Sequence, residues 1–154
     1  MHPPRRLFIK AALGLFTAFA AGPGMPRGSK PPWPEGAFIA HDVDTALQEI
    51  LGASLNNLAP SNKIKLAIPK TAENGAIVPL TVYADLDGVV SISLLAAKNP
   101  HVLTSTYMIP KGTLPYVSTR IKMQKTAVVI AVVKANGKLY SASKRVKVAV
   151  GGCS

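Results

Sequence analysis

Cysteine is almost missing from this chain of 154 residues: there is one, Cys153. That excludes an intramolecular disulfide framework and any multi-cysteine zinc or iron–sulfur site. Histidine is nearly as scarce, with His2, His41 and His101 too far apart in sequence to make a metal motif or a defensible Ser/His/Asp or Cys/His arrangement. No metal, no cofactor and no catalytic residue is expected. Long apolar runs are missing too. The greasiest stretch, Ala11 to Ala21, is about half of what a bilayer span requires, which excludes a membrane-spanning helix. Acidic residues number seven against eighteen Lys and Arg, so the net charge is +11 and the chain should attract anions. Aromatic residues make up 6% of a length that suits one ordinary domain.

The first thirty-four residues hold two segments. Pro4-Arg5-Arg6-Leu7-Phe8-Ile9-Lys10 precedes the apolar run Ala11 to Ala20, with no acidic residue before Glu35. A basic start, a short greasy middle and small residues at Ala18 and Ala20 form a signal-peptide pattern, and the pair Arg5-Arg6 points to the twin-arginine route. Cleavage is expected after Ala20, with residues 1–20 as the export signal and the periplasm as destination. Removing Arg5, Arg6 and Lys10 lowers the charge from +11 to +8. Residues 21–34 carry five prolines and three glycines, too few backbone donors and too little apolar surface for a packed element, and read as a linker. Trp33 at its end either pins the linker to the domain or is the first core aromatic; its size favours the core.

Residues 35–150 read as the domain. Val43, Ala46, Leu47, Ile50 and Leu51 repeat at helical spacing, with Asp42 as N-cap, Asp44 in the first turn and Gly52 as C-terminal stop. Beyond this short helix the pattern becomes β-rich: Lys63 to Ile68, Ala76 to Ala84, Val89 to Ala96, Val102 to Met108, Val117 to Met123, Ala127 to Lys134 and Lys138 to Val150. The breaks are chemically explicit, among them Asn74-Gly75, Asp87-Gly88, Asn99-Pro100 and Asn136-Gly137, the last a two-residue type I′ hairpin signal. In the final run Val146, Val148 and Val150 should face the core, with Arg145, Lys147 and Ala149 outward. Seven strands at this spacing predict an all-β, immunoglobulin-like antiparallel sandwich with a short N-terminal helix and a flexible C-terminal arm.

Charge is unevenly distributed. All seven acids lie between Glu35 and Asp87, and ten Lys and Arg follow with no acid among them. Lys98, Lys111, Arg120, Lys122, Lys125, Lys134, Lys138, Lys144, Arg145 and Lys147 would steer anions or an acidic partner, with Lys144, Arg145 and Lys147 the candidates nearest the tail in sequence, set against the plainer reading that such lysines only solvate outer strand faces. Nucleic acid is not expected, because the basic strands lack interleaved aromatics for base stacking.

The tail reads Val150-Gly151-Gly152-Cys153-Ser154. Two glycines end the strand, so residues 151–154 form a thin arm with Cys153 at its tip, away from any core. A thiol placed there is a covalent handle on a tether, or the site of an intermolecular disulfide.

The twin-arginine signal is joined by Glu73-Asn74-Gly75-Ala76-Ile77-Val78-Pro79, Lys98-Asn99-Pro100, Leu114-Pro115-Tyr116-Val117-Ser118-Thr119-Arg120-Ile121-Lys122-Met123 and Gly137-Lys138-Leu139-Tyr140-Ser141-Ala142-Ser143. In that order and spacing, from about Trp33 onward, the chain resembles the SoxY family, the sulfur carriers of the periplasmic Sox thiosulfate-oxidation system. The resemblance implies an immunoglobulin-like domain paired with SoxZ and an arm whose cysteine carries intermediates as covalent adducts. Cys153 would be conjugated to thiosulfate by the haem enzyme SoxAX, relieved of sulfate by SoxB and, where it is present, oxidised at the bound sulfur by the sulfane dehydrogenase SoxCD. The carrier itself would catalyse nothing. The family's arm typically reads Gly-Gly-Cys-Gly-Gly; Gly151, Gly152 and Cys153 match, while Ser154 stands where two glycines are expected, a small residue that should still pass a narrow channel. The contrasting reading is a structural periplasmic sandwich subunit that dimerises through Cys153 and carries no cargo.

Overall fold

Helix-forming and strand-forming stretches separate cleanly along the chain, as a computed structural model that describes residues 33–150 shows. Two helices come first, α1 (Glu35–Ile39) and α2 (Val43–Leu51), then a 3-10 turn at Leu55–Asn57 and nine strands. These are β1 (Ala59–Pro60), β2 (Ile64–Ala67), β3 (Thr71–Asn74), β4 (Val78–Ala84), β5 (Val89–Ala96), β6 (Leu103–Met108), β7 (Tyr116–Ile121), β8 (Ala127–Ala135) and β9 (Lys138–Val150). All seven expected strands form, with ends shifted by a residue or two. The additions are α1, β1 and β3.

The strands make two layers. The larger sheet runs β1-β9-β8-β5-β6 with β3 also on β9, and the smaller runs β2-β4-β7. Pairing is antiparallel except at β9, whose outer edge takes β1 at Tyr140 and Ser141 and β3 from Lys147 to Val150, both parallel. At 13 residues β9 is long enough to hold both. Between them the chain crosses to the smaller sheet as β2, so one edge is shared by the two layers. The β8–β9 turn has Asn136 at φ 49° and Gly137 at φ 74°, the two positive values a type I′ turn requires.

Burial explains the sandwich. Strand β4 alternates buried and accessible positions, whereas β5 and β8 are buried almost throughout. Both faces of the larger sheet are therefore covered. Ile92, Leu94, Val129, Ala131 and Val133 meet Leu66, Val78, Leu80 and Val82 of the smaller sheet. On the opposite face Leu95, Ile130 and Val132 pack against Ala37, Ala46 and Leu47 of the helices. The helices thus form a third layer on the back of the sandwich. Asp42 caps α2 by accepting a 2.8 Å bond from Thr45 N, which holds its carboxyl below the ordinary value. Gly52 closes the helix in the left-handed conformation.

Trp33 departs from the core position expected of it. It is 67% exposed and buries its ring only by stacking on Phe38, with centroids 5.0 Å apart. It precedes α1 and lies outside both cores, and the helices reach the second core through Ala37, Ala40, Val43, Ala46 and Leu47.

Candidate functional site

Strand β9 becomes more exposed toward its C-terminal end. Val146 is fully buried, Val148 is partly buried and Val150 is 66% exposed. The expected row of three core valines therefore fades toward solvent, because β9 runs past Ala127, its last partner on β8, at Val146. From there β3 holds it, with Asn74 beside Val150. Gly75 N donates to Val150 O at 2.7 Å, and Met123 N donates to Gly75 O at 2.7 Å. The last described residue is thus tied through Gly75 to Met123, whose side chain is fully buried.

The turns around this end of the strand are clasped to one another. Asn99 Nδ2 donates to Lys122 O at 2.7 Å and its Oδ1 accepts from Gln124 N at 3.1 Å, joining the β5–β6 turn to the segment after β7. Thr126 Oγ1 accepts from Val148 N. Asn99-Pro100 reads in sequence only as a turn. Its amide has a second role as a clasp, and no local pattern signals a bond between residues 23 to 25 positions apart.

The cationic residues expected to steer anions fall in several places around β9. Lys122 and Lys125 are exposed on the segment whose Met123 and Thr126 hydrogen-bond to Gly75 and Val148, and Lys98 is exposed on the turn that Asn99 clasps to it. Of the expected trio, Lys147 lies beside β3 at Thr71, while Lys144 and Arg145 sit farther back opposite Val129 and Val128. All three are exposed, but strand alternation puts Arg145 and Lys147 on one face of β9 and Lys144 on the other. Lys144 lines a shallow groove over the smaller sheet together with Thr81, Ser118 and Arg120. The three do not form one patch.

The remaining expected site residues, Cys153, Gly151, Gly152 and Ser154 of the arm and Arg5 and Arg6 of the export signal, lie outside the described residues. Among those described, no three His, Cys, Asp or Glu side chains converge as metal ligands, and no helix is long and apolar enough to cross a membrane. His41 and His101 stack with ring centroids 5.4 Å apart. Each turns Nδ1 to a carbonyl, that of Pro100 and of Ile39 respectively, which joins the helical layer to the β5–β6 turn.

Comparison with known proteins places these features in a family context. Residues 47–153 match the family described as sulfur oxidation protein SoxY, well over half of the chain. The structure of the sulfur carrier protein SoxY from Chlorobium limicola f thiosulfatophilum is 36% identical, with a TM-score of 0.63 over 75% of this chain and 98% of that one. An engineered protein covers 56% of this chain and 20% of its own at 15% identity and a TM-score of 0.39. The bacterial superantigen toxic shock syndrome toxin-1 covers 55% and 98% at 10% identity and 0.38, and neither likeness bears on fold or role. No curated protein matches the chain.

Proposed function

The chain belongs to the SoxY family of sulfur oxidation proteins, and from that premise we propose that it is a sulfur carrier with Cys153 as the covalent attachment point. One observation carries the proposal. The match to the family runs to residue 153 and so takes in the cysteine, three positions beyond Val150, where hydrogen bonds to the sandwich fix the root of the arm.

The chemistry follows from the thiol. The thiolate is the reactive form, and a free cysteine with a pKa of about 8.5 is a few per cent ionised at neutral pH. Conjugation of Cys153 with thiosulfate forms a sulfur–sulfur bond and releases two electrons, so it needs an oxidising partner, the role of a haem enzyme of the SoxAX type. Hydrolytic release of sulfate by a SoxB-type enzyme would leave a persulfide, the substrate of a SoxCD-type sulfane dehydrogenase. Gly151 and Gly152 serve as a slim tether, Ser154 keeps the tip small, and a SoxZ-like subunit completes the heterodimer. The chain supplies no catalytic group of its own to these steps. The ten Lys and Arg that follow Asp87, with no acidic side chain among them, favour a negatively charged adduct over a neutral one. Export by the twin-arginine signal, with Arg5 and Arg6, sets the work in the periplasm, where a folded carrier arrives with its partner attached.

Intact mass of the protein from the periplasm of thiosulfate-grown cells, before and after reduction, tests the proposal. Reducible additions equal to sulfur atoms or thiosulfate, absent from Cys153→Ser, are expected. A bare thiol, or only a disulfide-linked dimer of unmodified chains, would overturn it in favour of a structural subunit.

A further inference from the structure

Past Val146, strand β9 has run beyond β8 and keeps only β3, which pairs with no other strand among the described residues. Two strands alone are a marginal unit in water. Ala72 and Val148 give the pair some apolar packing, and hydrogen bonds tie it to the rest of the domain. On one edge Gly75 N donates to Val150 O, and on the other Val148 N donates to Thr126 Oγ1 at 3.0 Å. Met123 N donates to Gly75 O and joins the two sides. The β3–β4 turn and residues 122–126 thus close a collar round the last three residues of β9.

Half of this collar has no strand partner of its own. Residues 122–126 fall between the end of β7 at Ile121 and the start of β8 at Ala127. Burial anchors the Met123 side chain, while the peptide groups on either side of it are fixed by one residue from elsewhere. The Asn99 amide donates to Lys122 O and accepts from Gln124 N, so it grips the backbone before and after Met123. Asn99 is itself fastened. Its N donates to Ala96 O, Ala97 N donates to Val128 O, and Pro100 O accepts from His41 Nδ1 of the helical layer.

We infer that Asn99 is a positioning residue that sets how far Cys153 can reach. With the collar locked, reach is counted from Val150, and the three residues to Cys153 span at most about 10 Å. With the collar open it is counted from Val146, and seven residues span at most about 24 Å. The short reach keeps a group on the thiol in front of this end of the sandwich, and the long one lets it fall back along the strands. Reach matters to function only if Cys153 is the attachment point, as proposed above, but it is set by bonds within the sandwich and can be measured on an unmodified thiol.

Disulfide trapping in the full chain measures the reach. Ser143→Cys places a second thiol at an exposed position of β9, seven residues before Val150 and roughly 23 Å from it along the strand. With diamide as oxidant and dilute protein, the bond from Cys153 to this thiol should form slowly, because the collar must open first. Adding Asn99→Ala removes two hydrogen bonds from the collar and should speed the trapping about tenfold. Amide hydrogen exchange at Gly75, Met123 and Val148 should quicken by a similar factor. Asn136→Gly is the control: it deletes the other side-chain amide that fastens a distant turn, at the opposite end of β9, and suits the positive φ there. It should leave both rates close to those of the natural chain. Fast trapping without Asn99→Ala, equal rates with and without it, or an equal rise in Asn136→Gly would each overturn the assignment. None of these results depends on whether Cys153 carries sulfur in the cell.

Discussion

Val146 is the last fully buried side chain of β9, and Val150, four positions on, is 66% exposed. Truncating each to alanine removes the same two methyl groups from opposite environments. At Val146 the lost transfer free energy is about 0.8 kcal/mol per group, and the unfilled space beneath β8 adds to it, for a total of about 2 kcal/mol. At Val150 the change should stay within about 0.5 kcal/mol, as for an ordinary surface substitution. Urea unfolding of the full chain reads the difference. With a slope of about 2 kcal/mol per molar, Val146→Ala should lower the midpoint by about 1 M and Val150→Ala by no more than about 0.3 M, both with unchanged slope. If Val150→Ala proved as costly as Val146→Ala, the root of the arm would be packed against something, and the picture of a strand held there only by backbone bonds from β3 and Gly75 would be wrong.

Gly88 sits at φ 66°, and a Cβ there would collide with the Asn136 amide, which donates from Nδ2 to Asp87 O. Gly88→Ala should cost about 1–3 kcal/mol, and more than Gly112→Ala, where a similar φ meets open space; thermal melts of the two variants provide the comparison. The bond from Thr45 N lowers the Asp42 carboxyl pKa, so the cap's contribution is full above the ordinary carboxyl value of 3.8 and disappears as pH falls through the folded value. Asp42→Asn should therefore cost stability at neutral pH and progressively less as the solution is acidified below 3.8, measured by urea unfolding at a series of pH values.

Seven strands were legible because their borders are written in Gly, Asn, Asp and Pro, and because side chains in most of them alternate. Strands β1 and β3 escape such reading for a physical reason. Ala59–Pro60 and Thr71–Asn74 have no two-sided pattern, and what makes them strands is the free edge of β9, a partner far along the chain. The five residues of α1 are too few to show a period. A sign of the third layer does exist in the sequence, since Ala127 to Val133 is a continuous apolar run, which a strand with one wet face would not tolerate. The arm's cysteine is plain from composition alone. The clasp of Asn99 is not, because it joins turns that only the folded sheets bring together.

Strand β9 also decides when the domain can be finished. Its parallel partners β1 and β3 lie roughly eighty positions earlier, among the longest-range pairings a domain of this size can have. During synthesis those early strands wait with an unsatisfied edge, and β8 waits with one of its own, until nearly the whole domain has left the ribosome. The strand that closes the larger sheet is the one that leads directly to Cys153. A chain interrupted anywhere before β9 lacks both a completed sheet and the thiol, so the cysteine becomes available only on a polypeptide able to complete its fold.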